Sequence, residues 1–340
     1  MFGIAGTQST APSASTAFVK PESVALVEDL LGNQTVAVAN PAGRDADAVV
    51  RLNALAQTVA TLGAPGVLQS IQSTTLDADG TGYLSVDLAG ATGGIVVVED
   101  LASAATLGVG SRRIAGPATG LLAPKGLVVA DVGGAPMLLV ADTGTAARDV
   151  KAFGVDAAGD AAPLFTVTDL GADRAPWDVA YDADGDRLYV AATDGVVLVY
   201  DDFSTVLGGT GPTRTFTPAV GGVGVAVNLH GIELVAGSDV LVVSDVGDAA
   251  VGTDGQLFVI DGASTAEGLV DVTARIAGAA TLLGNPVDVA LDGETIYVAE
   301  KSQDRLLRWD GALSLTGDLD VAADASMVFT KPESVFVHLD

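Results

Sequence analysis

Cysteine is absent from this 340-residue chain, which removes disulfides, thiolate–metal centres and cysteine nucleophiles at once. Basic residues are scarce: 16 Lys and Arg stand against 43 Asp and Glu, a formal charge of −27. Nucleic-acid binding rests on neutralising phosphates with Lys and Arg, so no nucleic-acid partner is expected. The same charge disfavours anionic membrane surfaces and favours solubility, divalent cations or a salty environment. Asp outnumbers Glu and Arg outnumbers Lys, which reads as salt adaptation rather than as a site. Histidine is limited to His230 and His338, neither beside a Gly-x-Ser-x-Gly elbow or in a triad order. Walker loops and dinucleotide fingerprints are missing. No apolar run reaches the roughly eighteen residues of a membrane span. Residues 1–17 lack the basic start and long apolar core of a signal peptide and read as a flexible Ser/Thr/Ala-rich arm.

What is present is a repeat. At intervals of about fifty residues a Pro or small residue precedes a polar residue, an apolar run, a Gly/Asp turn and a second strand. The clearest copies are Pro176-Trp177-Asp178-Val179-Ala180-Tyr181, continuing into Leu188-Tyr189-Val190-Ala191, and Pro286-Val287-Asp288-Val289-Ala290-Leu291, continuing into Ile296-Tyr297-Val298-Ala299-Glu300. Weaker copies start at Pro21, Ile71, Pro124 and Gly231. Units of short strands at a fixed period must stack on their neighbours to bury their faces. Runs such as Val96-Val97-Val98 and Leu241-Val242-Val243 suit strands covered on both sides. Residues 47–62 are Ala-rich enough for a helix, but their register in the repeat predicts an outer strand instead. The expectation is an all-β, six-bladed β-propeller of four-stranded antiparallel blades, with residues 18–340 as one domain.

The phrase Pro-x-Asp-Val-Ala, then Asp-Gly, then Tyr-Val-Ala-acid, then Val-x-Val-Tyr-Asp resembles the NHL, YVTN and SMP-30-type propellers. The resemblance spans about Phe18 to Asp340. It implies the fold and leaves the function open, because the same fold hosts lactonases, hydrolases, lyases and binding modules.

Aligning the inner strands places Ser23, Ser73, Gly126, Asp178, Glu233 and Asp288 at one equivalent position around the channel. Asp178, Glu233 and Asp288 then converge without a basic neighbour, an oxygen-rich set suited to Ca²⁺ or another divalent cation. SMP-30-like lactonases hold a metal on this axis, and the similarity here is positional. The competing reading is a polar channel wall whose carboxylates bond neighbouring loops. Ser23, Ser73 and Trp177 complete the candidate ligand-binding set, Trp177 as a stacking platform or as a packed plug. Trp309 reads as core. Asn40 and the acids Asp87, Asp142, Asp194, Asp245 and Glu300, recurring at the ends of second strands, read as loop caps. Two Ca²⁺-loop-like stretches, Asp77–Gly82 and Asp182–Arg187, lack the Glu at position twelve and read as hairpin turns.

The termini duplicate each other. Ala14-Ser15-Thr16-Ala17-Phe18-Val19-Lys20-Pro21-Glu22-Ser23-Val24 is echoed by Ala325-Ser326-Met327-Val328-Phe329-Thr330-Lys331-Pro332-Glu333-Ser334-Val335. Six units separate the copies, so the chain encodes a spare inner strand within residues 325–340. Three readings fit: ring closure with one copy displaced, a piece of a longer array, or strand exchange between molecules. Phe18, Pro21, Val24, Phe329, Pro332 and Val335 are the candidate assembly residues. The functional expectation is a non-catalytic binding or scaffolding propeller of an extracellular, cell-surface or virion-like assembly. Its partner is a protein or a second copy engaged through the terminal strands. The alternative is a divalent-metal-dependent lactonase or hydrolase built on the axial carboxylates, since metal assistance is the catalytic route left open.

Overall fold

The computed structural model describes residues 71–338 apart from 89–91, 100, 102–111, 147 and 329–331. It also describes the backbone of strands 23–28, 34–40, 48–53 and 58–63, and for residues 337 and 338 the backbone alone. The arm at 1–17, with Phe18, Pro21 and Phe329, lies outside the described residues, and Ser23 and Val24 are described by backbone only.

The strands hydrogen-bond into six small sheets. The first holds β1 (Ser23–Glu28), β2 (Gln34–Asn40), β3 (Ala48–Asn53) and β4 (Thr58–Gly63). Residues 47–62 thus fall largely in strands, as their register predicts. The second comprises β5 (Ile71–Leu76), β6 (Gly82–Leu88), β7 (Thr92–Val98) and β8 (Arg112–Ile114). The third comprises β9 (Pro124–Val132), β10 (Ala135–Asp142), β11 (Asp149–Gly154) and β12 (Phe165–Val167). In the fourth are β13 (Pro176–Asp182), β14 (Arg187–Ala192), β15 (Val196–Tyr200), β16 (Arg214–Val220) and the short β17 (Val223–Gly224). The fifth is built of β18 (Leu229–Leu234), β19 (Val240–Asp245), β20 (Gln256–Asp261) and, after β21 (Gly268–Asp271), β22 (Ala274–Ala277). The sixth has β23 (Pro286–Asp292), β24 (Thr295–Glu300), β25 (Arg305–Trp309) and, after β26 (Gly317–Leu319), β27 (Ala325–Val328). A last strand, β28 (Val335–His338), joins the first sheet.

Each sheet from the second to the sixth runs antiparallel through its four main strands and packs face to face on the next, a β-propeller arrangement. Alternate residues of one strand feed two different interfaces. Leu188 and Val190 of β14 pack with Leu139 and Val150 of the third sheet, whereas Tyr189 and Ala191 pack with Leu241 and Phe258 of the fifth. Trp309 is 2% exposed in the layer between the fifth and sixth sheets, beside Leu257 and Val298. A strand buried on both faces has no polar side to show, which is why the repeat carries continuous Val/Leu/Ala runs.

Outer edges are laced by the following sheet. β21 pairs in parallel with β16, β26 with β22, and Gly159 bridges Ile114. Such cover removes open hydrogen-bonding edges.

β28 settles where the spare inner strand goes. It pairs in parallel with β1, in the register Val24↔Val335. Its amide at Val335 donates to Asp288 Oδ2 at 2.7 Å on one side, and Ser334 Oγ accepts from Thr74 N at 3.4 Å on the other. β28 therefore lies between β23 and β5, with β1 outside it.

Candidate functional site

The sheets leave a central channel with a cavity of about 300 Å³. Its wall is made from the inner strands: Ser73 and Thr74 of β5, Asp178 of β13, Glu233 of β18, Asp288 of β23 and Val335 of β28. The cavity reaches the first-hairpin turns at Asp182–Asp184 and at Ala236 and Gly237.

Asp178, Glu233 and Asp288 do share this cavity, but they are not equivalent. In β13 and β23 a bulge follows the leading proline, and Asp178 and Asp288 sit opposite Ala191 and Ala299. The fifth sheet has its bulge between Leu229 and Ile232, with Ile232 opposite Val243, so the residue matching Asp178 is Gly231. Glu233 lies two positions farther along, and the sequence alignment at this strand is corrected accordingly. The cause is spatial. A Cβ on Gly231 would stand 2.7 Å from Asp288 Cα, and one on Gly126 would collide with the Asp178 carboxylate. Glycine at one strand makes room for the aspartate of the next.

Each aspartate spans two strands. Asp178 accepts from Val179 N at 2.8 Å and from Ile232 N of the fifth sheet at 3.1 Å. Asp288 accepts from Val289 N at 2.8 Å and from Val335 N. Where the ring carries serine instead, Ser73 Oγ meets Ser334 Oγ at 3.2 Å. These groups tie neighbouring inner strands together.

Burial raises all three carboxyls. Asp178 is pushed well up by burial and then by the Asp288 charge, although the two amide bonds work against the rise. Glu233 is pushed up to about 8 by burial and by Asp288. Asp288 rises to about 7 through burial, offset by its bonds to Ser334, Val335 and Val289. Among the described residues no three His, Cys, Asp or Glu side chains group closely enough to hold a metal ion.

The end where the inner strands begin carries a girdle of larger side chains. The Trp177 indole stacks on His230, with ring centroids 3.7 Å apart and planes 12° from parallel. Lys125 Nζ lies 5.0 Å from the Trp177 ring centroid and also bonds Gln72 Oε1. Gln72 in turn donates to Asp87 Oδ2 at 2.9 Å, and Lys301 pairs with Glu333. His230 is 7% exposed, and its imidazole is held well below its usual pKa by burial and the positive charges of Lys301 and Lys125. Trp177 is half-buried, with its ring against His230 and Lys125.

Three of the acids at second-strand ends, Asp142, Asp245 and Glu300, act as loop caps, and Asp87 accepts from Gln72. Asp142 accepts from Leu122 N, Ala123 N and Gly144 N, each at 2.8 or 2.9 Å. Asp245 accepts from Val227 N, Asn228 N, Gly247 N and Gln256 Nε2, and Glu300 from Gly284 N, Asn285 N, Ser302 N and Gln303 N. Asp194 instead pairs with Arg174. The Ca²⁺-loop-like stretches are turns: Asp77 Oδ1 accepts from Asp79 N and Thr81 N, and Asp182 from Gly185 N and Arg187. Sequence reasoning missed the Lys125–Trp177–His230 stack, because the slipped alignment of the fifth inner strand left His230 unmatched to Trp177.

No protein-family model matches the chain, and no curated protein matches it in sequence. Solved structures match its fold. Hydrazine synthase from Kuenenia stuttgartiensis superposes with a TM-score of 0.59 at 14% identity, over 98% of this chain and 92% of that one. A chain of a mitotic checkpoint complex gives 0.56 at 14% identity, over 94% and 85%. Both likenesses fall in the range where fold alone is shared.

Proposed function

We propose that this chain is a non-catalytic binding and scaffolding module. In this reading the six sheets are the blades of one ring spanning residues 18–340, akin to NHL, YVTN and SMP-30-type propellers. It serves a protein partner or further copies of itself in an extracellular, cell-surface or virion-like assembly, and not nucleic acid. The observation that carries it is the use already made of the axial groups. Asp178 and Asp288 each give one oxygen to an amide of their own strand and the other to an amide of the adjoining strand, and one channel end is lined by Trp177, His230 and Lys125. A catalytic centre needs polar groups free to meet a substrate, and these are engaged in holding the ring. Exposed apolar side chains on the outside, among them Val223 and Leu269 on the paired strands β17–β16–β21, offer contact area to a partner. One structural neighbour is named as part of a checkpoint complex and the other as a synthase, so fold likeness does not choose between binding and catalysis.

The competing lactonase reading needs Ca²⁺ or another divalent cation among Asp178, Glu233 and Asp288. Calorimetric titration of chelator-treated protein with Ca²⁺, wild type against Asp178→Asn/Asp288→Asn, decides between them. The scaffold reading expects no stoichiometric site that depends on these two aspartates. Tight binding to the wild type that the double variant loses would overturn it and justify a lactone screen.

A further inference from the structure

The inner slot of the first sheet has two claimants of nearly the same sequence. Pro332-Glu333-Ser334-Val335 holds the slot, and the identical sequence Pro21-Glu22-Ser23-Val24 runs into the strand beside it. The parallel register Val24↔Val335 sets equivalent residues of the two copies side by side. Neighbouring strands are roughly 4.8 Å apart, so one copy can take the other's place by a sideways step without changing register.

The bonds that define the slot do not distinguish the copies. Asp288 Oδ2 receives the backbone N–H of Val335, which Val24 can equally present. Ser334 Oγ meets Ser73 Oγ and the Thr74 amide, and Ser23 is its counterpart. The Lys301 partner is Glu333, whose counterpart is Glu22. If β28 leaves, the Asp288 carboxylate can be met by the β28 of another copy or, at the open end of a chain of molecules, by the ring's own Val24. A released strand with an intact home ring is the requirement for a stable exchange between molecules, and a head-to-tail exchange grows a chain of molecules rather than a closed dimer.

We propose that this slot is also filled in trans, the 332–338 strand of one copy docking between β23 and β5 of the next. The proposal rests on the scaffold reading and names a second copy of this chain as the partner. The net charge of −27 opposes contact between copies, so assembly should strengthen as salt screens it.

A chain without cysteine permits a clean trap. Ser73→Cys/Ser334→Cys places two thiols where the hydroxyls stand 3.2 Å apart. Oxidised at high protein concentration and about 1 M salt, it should yield a ladder of interchain-linked species on a non-reducing gel, and on dilution the intrachain monomer. Ser334→Cys alone should give at most dimers. Intrachain monomer at every concentration would overturn the proposal. Should the double variant fold poorly, sedimentation of the full-length protein serves instead. Wild type should gain mass with concentration and salt, and Val335→Pro, lacking the N–H that Asp288 accepts, should lose the heavier species. A wild type that sediments as a monomer throughout would overturn the proposal while leaving the Ca²⁺ titration, and hence the scaffold reading, to stand or fall separately.

Discussion

Gly231 and Gly126 show how a side chain's absence can position a functional-looking one. Asp178 and Asp288 reach across the inner ring because the preceding strand presents only a hydrogen at the point of closest approach. Gly231→Ala would press a methyl against the Asp288 backbone, with Asp288 Cα at 2.7 Å and Val289 N at 2.8 Å. Both obstructing atoms are main chain, so the strands must part. We expect a loss of about 1–3 kcal/mol, read as a lower urea midpoint at unchanged m-value. Gly126→Ala meets the Asp178 carboxylate first and should also weaken the Asp178–Ile232 bond. A variant as stable as wild type at either position would mean that the inner strands are less tightly apposed than described.

Among the elements, second-strand ends carry much of the loop architecture. Asp245 stands at the end of β19 with no exposed surface and accepts four hydrogen bonds, three of them from backbone amides. Asp245→Asn keeps the shape but turns one acceptor into a donor facing donors. Leaving such groups unsatisfied costs about 1–3 kcal/mol each, more where a charge is involved. We expect a drop of about 2–4 kcal/mol and, in hydrogen exchange, faster opening at Val227, Asn228 and Gly247 than in β19 itself. Uniform acceleration across the sheet would point to global destabilisation rather than to a lost cap. This recurring acid was legible in the sequence because it repeats at a fixed place in the unit. So were the double-faced strands, whose Val/Leu runs announce burial on both sides. The fifth inner strand was not. Its Leu229-His230-Gly231 lacks the Pro and Asp that mark the two clearest copies, and the bulge that sets its register has no signature of its own. The parallel docking of β28 on β1 was legible only as a duplication. Its place shows only in contacts with Asp288, Ser73 and Thr74 from distant strands, which the sequence does not set beside it.

For the whole molecule, the axial carboxyls couple stability to pH in a direction opposite to ordinary surface ion pairs. Asp288 titrates at about 7 and Glu233 at about 8 in the folded ring, against unfolded values near 4. Between those limits the native state holds protons that the unfolded chain has released. Unfolding is therefore favoured as pH rises: this contribution is fully present below about pH 4 and is lost through pH 7 to 8. Asp201 works the other way. Partial burial resists its ionisation, but bonds from Arg214, Arg187 and Thr213 outweigh it and hold the carboxyl below the usual range. Its contribution is present near neutrality and lost in acid. Together they place the stability maximum in mildly acidic solution, and the net charge of −27, which grows as carboxyls ionise, pushes it the same way. Calorimetric scans should show Tm falling by several degrees from about pH 5.5 to pH 8 at low salt. Part of the fall should vanish at about 1 M salt, where the Debye length is near 3 Å and long-range repulsion is screened. The remainder belongs to the axial groups, and Glu233→Gln should remove the Glu233 share of it and leave that of Asp178 and Asp288, because an amide loses nothing on alkalinisation. A Tm that climbs toward pH 8, or a slope untouched by Glu233→Gln at high salt, would show that these carboxyls ionise normally in a water-filled channel.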